Sequence, residues 1–248
     1  MTLFEEFIWP FHAVVSGHIV TGSIGLVAFW VPVLARKGGV RHKRWGMVFT
    51  WSMLITGAIA SVISSMTIAD PVGTHPHLDF DPALIQGIFG WMMLYLAVLT
   101  INLAWYGWSC IRGRRDHAVN RGWFNIFLQA AVTVTAANCA WHGILLDQVL
   151  MIGISFVGFA TAATNLWFIF KPERGPQDWQ KEHLKGLVGA GISVYTAFLA
   201  FGAVRLMPEL ALNPGLWAVP LVTGLAIILY HWRRIGRLQA LARPAQST

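Results

Sequence analysis

The chain alternates between long apolar runs and short polar breaks. A membrane-spanning helix needs about 20 mostly apolar residues, and seven runs reach that length. These runs are residues 11–35, 45–68, 83–111, 121–146, 148–170, 185–206 and 214–232. The pattern predicts an all-α, polytopic transmembrane helix bundle with seven spans, in which residues 1–248 form a single membrane domain.

The fourth run and the fifth meet at Leu146, Asp147 and Gln148. One continuous helix through both runs would be twice the length that a bilayer requires. Gly143 and Asp147 favour a tight turn instead, so the sequence predicts two separate helices here.

The charged residues of the breaks are distributed unevenly. The first, third and fifth breaks and the C-terminal tail carry the basic residues, which are Arg36, Lys37, Arg41, Lys43, Arg44, Arg112, Arg114, Arg115, Arg121, Lys171, Arg174, Lys181, Lys185, Arg233, Arg234, Arg237 and Arg243. The alternate breaks carry Asp70, Asp79, Asp81, Asp147 and the pair Arg205 and Glu209. Because cytoplasmic loops are enriched in Lys and Arg, this asymmetry predicts an external N-terminus and a cytoplasmic C-terminus.

Composition supports a membrane protein, although the positive net charge alone would suggest nucleic-acid binding. Hydrophobic residues make up 56% of the chain and charged residues only 12%, against about 25% charged in a soluble domain. The net charge of +7 comes from residues in the breaks, where it sets topology. No basic face or base-stacking motif indicates nucleic-acid binding. Cys110 and Cys139 are expected at different depths, so no disulfide is predicted between them.

The predicted spans lack the ionisable groups on which several membrane functions depend. The last span, 214–232, has no lysine for an opsin-type Schiff base. No run carries a mid-depth Asp or Glu of the kind that couples ions to transport. The ligand set of a membrane zinc hydrolase, a Gly-rich phosphate loop and an activated serine motif are all missing from the sequence.

The histidines are the remaining candidates for chemistry, and two of them are predicted in the outer half. His18 lies about 10 Å below the outer end of the first span at 1.5 Å per residue, and His142 lies at a similar depth in the fourth span. Asn138 comes one helical turn before His142, where it could orient the imidazole. Two neutral imidazoles from different helices at one depth suit bis-histidine ligation of haem b. The alternative is that each histidine hydrogen-bonds a neighbouring helix or lies at the headgroup level.

Two further histidines are predicted at the cytoplasmic edge. His42 precedes the second span among basic residues, and His183 precedes the sixth span. They would meet if the second and sixth spans are neighbours. The candidate roles are ligation of a second haem, a quinone or lipid-headgroup site, and helix capping. His18 and His42 would lie about 25 Å or more apart along a regular helix, so they cannot share one haem.

Other polar residues have simpler explanations. The loop THPHLDFDP would place His75, His77, Asp79 and Asp81 on one side if it were extended, which is a candidate transition-metal site, although a solvated loop explains it as well. Arg205 and Glu209 are spaced for a rim ion pair. Polar side chains inside spans are expected to form interhelical hydrogen bonds, and they are Asn102, Gln129, Asn138 and Asn165.

Two stretches carry a family resemblance. HIVTGSIGLVAFWVPVLARKGGVRHKRWGMVF, and HLKGLVGAGISVYTAFLAF followed by PGLWAVPLVTG, resemble a large family of bacterial predicted membrane proteins with a domain of unknown function. The residues that match its pattern are His18, Lys37, Gly38, Gly39, His42, Gly46, His183, Tyr195, Thr196, Trp217 and Pro220. The resemblance implies a multi-span protein of the bacterial inner membrane and implies no particular reaction.

The leading hypothesis from sequence is therefore an inner-membrane protein that binds haem b as a redox or haem-handling protein. Its partners would be the lipid bilayer and a membrane redox partner or quinone. A non-catalytic structural or assembly protein is the alternative, followed by a carrier of a small molecule or metal.

Overall fold

Every regular element that the structure describes is a helix. The computed structural model describes residues 3–202 and 214–241. In chain order the α-helices are α1 (Leu3–Leu34), α2 (Val40–Ala69), α3 (Pro71–Thr74), α4 (Pro82–Ile85), α5 (Met93–Arg112), α6 (Trp123–Leu145), α7 (Val149–Phe170), α8 (Asp178–Ala197) and α9 (Pro214–Leu241). π-helical segments at Gln86–Met92 and Phe198–Gly202 join α4 to α5 and extend α8, and a 3-10 helix at His117–Arg121 precedes α6. The all-α prediction is confirmed for these residues.

Four helical segments in the described ranges are long and apolar enough to cross a membrane. They are Phe11–Leu34, Val40–Ala69, Pro82–Arg112 and Val149–Phe170. Such helices are those of a membrane protein, as the apolar pattern predicts. α6, α8 and α9 are also long enough but are not among these four segments, and α8 opens with charged residues. The end of the sixth predicted run and the pair Arg205 and Glu209 lie outside the described residues.

α5 is the central helix of the bundle. It contacts α2, α6 and α8, while α1 packs along α2, α7 along α6, and α9 along α8. The Tyr95 and Tyr106 side chains of α5 are fully buried. Large apolar side chains on the outer helices remain exposed, including Val27, Val134 and Phe156. These outward faces are suited to contact with lipid.

A tight turn separates α6 from α7, which confirms the predicted break between the fourth and fifth runs. Asp147 has a positive φ of 51°, a conformation that Asp tolerates better than most residues. The Gln148 backbone N–H donates a 2.8 Å hydrogen bond to the Gly143 carbonyl. The two helices therefore pack side by side instead of continuing as one.

Glycines allow α5 and α8 to approach closely. A Cβ atom added to Gly186 would lie 2.7 Å from the Gly107 Cα and 2.9 Å from the Leu103 carbonyl oxygen. Helix backbones in membranes approach closely where small residues face each other. This contact sets how the start of α8 lies against the end of α5.

Buried amides join the three helices α5, α6 and α7. Asn102 and Gln129 exchange two hydrogen bonds of 2.9 and 3.0 Å, and the Asn165 Nδ2 donates to Gln129 at 3.1 Å. The predicted interhelical role of these three residues is confirmed. Cys110 and Cys139 are both free, as predicted.

Candidate functional site

His42 lies at one end of the bundle, which we call the basic end. This end carries the α1–α2 connection, the start of α8 and the end of α9. The connection reverses the chain through Gly38, whose φ is +76°, a conformation that glycine adopts without strain. The His42 Nδ1 then lies 3.1 Å from the Pro32 carbonyl oxygen at the end of α1. That contact fixes the plane of the imidazole.

His183 is held in the same way by a different helix. Its Nδ1 lies 2.9 Å from the carbonyl oxygen of Gly107 on α5. The close approach of Gly186 to Gly107 brings α8 near enough for this bond. The α5–α8 contact therefore positions His183, one turn away along the same helix.

The structure brings His42 and His183 together. Their ring centroids are 6.4 Å apart and their planes cross at 74°. A carbonyl oxygen can only accept, so each Nδ1 carries a hydrogen, and in the neutral form of the ring Nε2 then keeps its lone pair. This is the state in which an imidazole binds a metal, with its other nitrogen held by a backbone carbonyl. The two residues therefore meet, as expected if the second and sixth spans are neighbours; ligation of a group between them stays a prediction.

The protonation of His183 agrees with a ligand role. The pKa of His183 is lowered to about 4, chiefly by burial and further by the nearby His42 and Lys37, against the opposing effect of the hydrogen bond to the Gly107 carbonyl. At neutral pH this imidazole is therefore uncharged. A neutral imidazole is the form that coordinates metals.

A buried cluster that sequence analysis missed lies beside His183. The Tyr106 hydroxyl donates a 2.6 Å hydrogen bond to Glu182, which also forms an ion pair with Lys185. Glu182 is only 8% exposed and Tyr106 is fully buried. Because residues 182 and 183 both bind α5, at residues 106 and 107, the cluster reinforces the register of α8. The signal in the sequence was a carboxylate, Glu182, beside His183 near the start of a helix. Its partner Tyr106 lies 76 residues away on α5, so the sequence did not reveal the bond.

His18 lies on α1 beside the Thr56 backbone of α2. It is partly buried on α1, and its Nδ1 is enclosed without a hydrogen-bond partner among the described residues. α1 packs against α2 and contacts α8, whereas α6 packs against α5 and α7. The structure therefore does not bring His18 to His142, and similar depth did not make them neighbours.

His142 stacks on an indole. The rings of His142 and Trp91 are 5.1 Å apart and inclined by only 14°. The Trp91 Nε1 and the Asn138 Oδ1 are both buried, and neither has a partner in the part of the chain that is described. Asn138 forms no hydrogen bond to His142, so the predicted orienting contact is absent between these two described residues.

The loop between α3 and α4 forms turns instead of an extended row. The His75 and His77 rings are 6.1 Å apart, but the Asp81 side chain accepts from the Ala83 N–H at 2.8 Å and caps α4. Within the described ranges, no three His, Cys, Asp or Glu side chains are grouped to hold a metal ion.

Tyr195, which belongs to the family pattern, joins α8 to α1. Its hydroxyl donates to the Leu26 carbonyl at 2.8 Å and accepts from the Trp30 Nε1 at 2.6 Å. The residues Lys37, His42, His183 and Tyr195, on which the sequence resemblance rests, therefore belong to one region of the fold, where α1, α2 and α8 meet.

Comparisons of the chain with protein-family models, curated proteins and solved structures found no match.

Proposed function

We propose that the protein is a seven-span protein of the bacterial inner membrane that binds haem b between His42 and His183 and serves in membrane redox chemistry or haem handling. The observation that carries the proposal is the pair of adjacent imidazoles, 6.4 Å apart between ring centroids, each with Nδ1 at hydrogen-bond distance from a backbone carbonyl.

The separation of the two rings suits an axial pair. Half of the 6.4 Å between the centroids is 3.2 Å. An imidazole nitrogen binds a first-row metal at about 2.0–2.1 Å, and the ring centre lies roughly 1.2 Å behind that nitrogen. These lengths add to about 3.2 Å, so the separation of the rings would let His42 and His183 hold one iron atom if both Nε2 atoms were directed at it.

The small number of protein ligands favours haem over a bare metal ion. A protein-bound zinc ion takes three or four protein ligands, whereas the described residues include no group of three His, Cys, Asp or Glu that could hold a metal ion. A haem supplies four nitrogens of its own and needs only axial ligands from the protein. A quinone needs hydrogen-bond donors at its carbonyl oxygens, and the two free Nε2 atoms are acceptors.

The seven spans and their orientation belong to the same proposal. The basic breaks alternate with acidic ones along the whole chain, which places the basic end in the cytoplasm and the N-terminus outside. The polar groups of α6 and α8 are compatible with spanning, because Asn125, Gln129 and Glu182 are buried against other helices. Polar groups in a membrane domain are tolerated where they face the bundle interior.

Absorption spectra of the purified full chain, expressed with adequate haem supply, test the proposal. We expect a Soret band that shifts on reduction, and its loss in His42→Ala and His183→Ala. His18→Ala and His142→Ala are matched controls in the same chain and should keep the band. Absence of any band in the unmodified protein would overturn the haem proposal and leave a non-catalytic structural role. A band that depends on His18 and His142 instead would overturn the ligand assignment.

A further inference from the structure

The start of α8 is bonded to the end of α5 at two consecutive residues. The Tyr106 hydroxyl donates a 2.6 Å hydrogen bond to the Glu182 carboxylate. At the next residue of each helix, the His183 Nδ1 lies 2.9 Å from the Gly107 carbonyl oxygen. Glu182 is only 8% exposed and Tyr106 is fully buried. One short stretch of α5 therefore holds both the carboxylate and the imidazole.

Lys185 completes a group of three side chains, Tyr106, Glu182 and Lys185, which we call the Glu182 cluster. Lys185 forms an ion pair with Glu182, and its Nζ lies 5.3 Å from the centroid of the Tyr106 ring. Each member therefore contacts the other two. A buried polar network whose members are all satisfied is rigid and favours one arrangement. The cluster therefore fixes the rotation of the first turns of α8 about the helix axis.

The other contacts between α5 and α8 constrain this rotation less. The approach of Gly186 to Gly107 is a close contact that involves no side-chain hydrogen bond. Thr100 and Ser193 form a 2.6 Å hydrogen bond, but Ser193 lies about two helical turns further along α8. Among the described contacts between α5 and the first turns of α8, the tyrosine hydroxyl therefore supplies the directional bond beside that of the imidazole itself.

We propose that Tyr106 and Glu182 are positioning residues for haem ligation, which act through His183. Their bond sets the rotation of α8 that directs the His183 imidazole towards the iron. This role rests on the haem proposal, in which neither residue contacts the iron. Removal of a group that supports a metal ligand commonly lowers metal affinity by about 10- to 100-fold.

Three variants of the full chain test this role. Tyr106→Phe removes only the hydroxyl that holds Glu182. Tyr95→Phe is the matched control, because Tyr95 is also a fully buried tyrosine of α5, and its hydroxyl donates a 2.8 Å hydrogen bond to the Ile154 carbonyl on α7. Both changes remove one buried hydrogen bond, so a general loss of stability affects both variants. Glu182→Gln keeps an oxygen that can accept from the tyrosine hydroxyl and removes the charge.

The first arm measures haem b affinity by Soret titration. We expect Tyr106→Phe to weaken binding by about tenfold or more. Tyr95→Phe and Glu182→Gln should bind haem as the unmodified protein does. Equal weakening in Tyr106→Phe and Tyr95→Phe would overturn the positioning role, because the effect would then be a general loss of stability. Equal weakening in Tyr106→Phe and Glu182→Gln would also overturn it, because the effect would then belong to the charge.

The same samples give a spectroscopic readout of ring orientation. The electron paramagnetic resonance spectrum of oxidised haem depends on the angle between the planes of its two axial imidazoles, and the planes of His42 and His183 cross at 74°. We expect Tyr106→Phe to change this spectrum and Tyr95→Phe to leave it unchanged. A spectrum that is identical in all the variants would overturn the positioning role.

The second arm uses the haem-free protein and NMR of isotope-labelled histidine. The His183 Nδ1–H signal, identified by its absence in His183→Gln, should exchange slowly with water while the bond to Gly107 holds. We expect fast exchange in Tyr106→Phe and slow exchange in Tyr95→Phe. This arm gives a result even if the unmodified chain shows no Soret band, so failure of the haem proposal is distinguishable from failure of this one. Equally slow exchange in both variants would overturn the positioning of His183 by Tyr106.

Discussion

The basic end and the opposite end of the bundle hold their histidines in contrasting ways. At the basic end, backbone carbonyls of Pro32 and Gly107 hold two adjacent imidazoles whose planes cross at 74°. At the opposite end, His142 stacks on Trp91, and His18 has an enclosed Nδ1 without a described partner. The difference shows that a ligand site depends on the group behind each ring as much as on the histidine itself.

The cause of the contrast is the way the helices are joined. α1 and α2 are consecutive and antiparallel, so the end of α1 is necessarily beside the start of α2. The glycine contact between α5 and α8 then brings His183 to the same place. His18 and His142 lie on α1 and α6, which pack against different helices.

The largest expected effect comes from breaking the α5–α8 contact. Gly186→Leu places a side chain where even a Cβ would lie 2.7 Å from the Gly107 Cα. We expect a loss of about 3 kcal/mol in unfolding free energy, together with loss of the His42–His183 site. Gly153→Leu is the control, because a Cβ there has no heavy atom within 4 Å. Thermal unfolding in detergent measures both, and equal losses in the two variants would contradict the role of this contact.

The second largest expected effect is a loss of folding stability at acid pH, caused by protonation of His183 at the basic end. The folded-state pKa of His183 is about 4, below the value of about 6.5 expected for an unfolded chain. As pH falls, the unfolded chain takes the proton first, so the contribution to stability is complete above pH 6.5 and is lost between about 6.5 and 4. The loss is at most about 3 kcal/mol.

Unfolding of the haem-free protein at pH 7, 6, 5 and 4 measures this dependence. His183→Gln keeps a donor for the Gly107 carbonyl and has no group that titrates in this range. The unmodified protein should lose stability more steeply than this variant, since all other titrating groups are shared. Parallel curves would show that His183 does not titrate as expected.

The smallest expected effect is at the opposite end. Asn138 has an acceptor without a described partner, so Asn138→Leu should be neutral or stabilise the fold by up to about 1 kcal/mol. Asn165→Leu is the comparison, because it removes the 3.1 Å bond to Gln129 and should cost about 1–3 kcal/mol. Chemical unfolding of the two variants in detergent measures the difference. A larger loss at Asn138 than at Asn165 would indicate that Asn138 has a partner that the structure does not contain.

Several local features could be predicted from the sequence because they depend on nearby residues. The turn at Asp147 follows from apolar run length and from Gly143, and the amide bonds of Asn102 and Gln129 follow from the cost of burying polar groups in apolar surroundings. His42 could be singled out because a short connection places it beside the end of α1. The Tyr106–Glu182 bond could not be predicted, since it requires knowing that α5 and α8 are neighbours.

The sequence by itself determined that the chain is helical and apolar, because run length and polarity act within one helix at a time. Only the tertiary structure decided which histidines meet. Depth along a helix is a one-dimensional property, and His18 and His142 share it without being neighbours. The pairing of His42 with His183 depends on the Gly107–Gly186 contact between two helices that are distant in sequence, and that contact exists only once the bundle has packed.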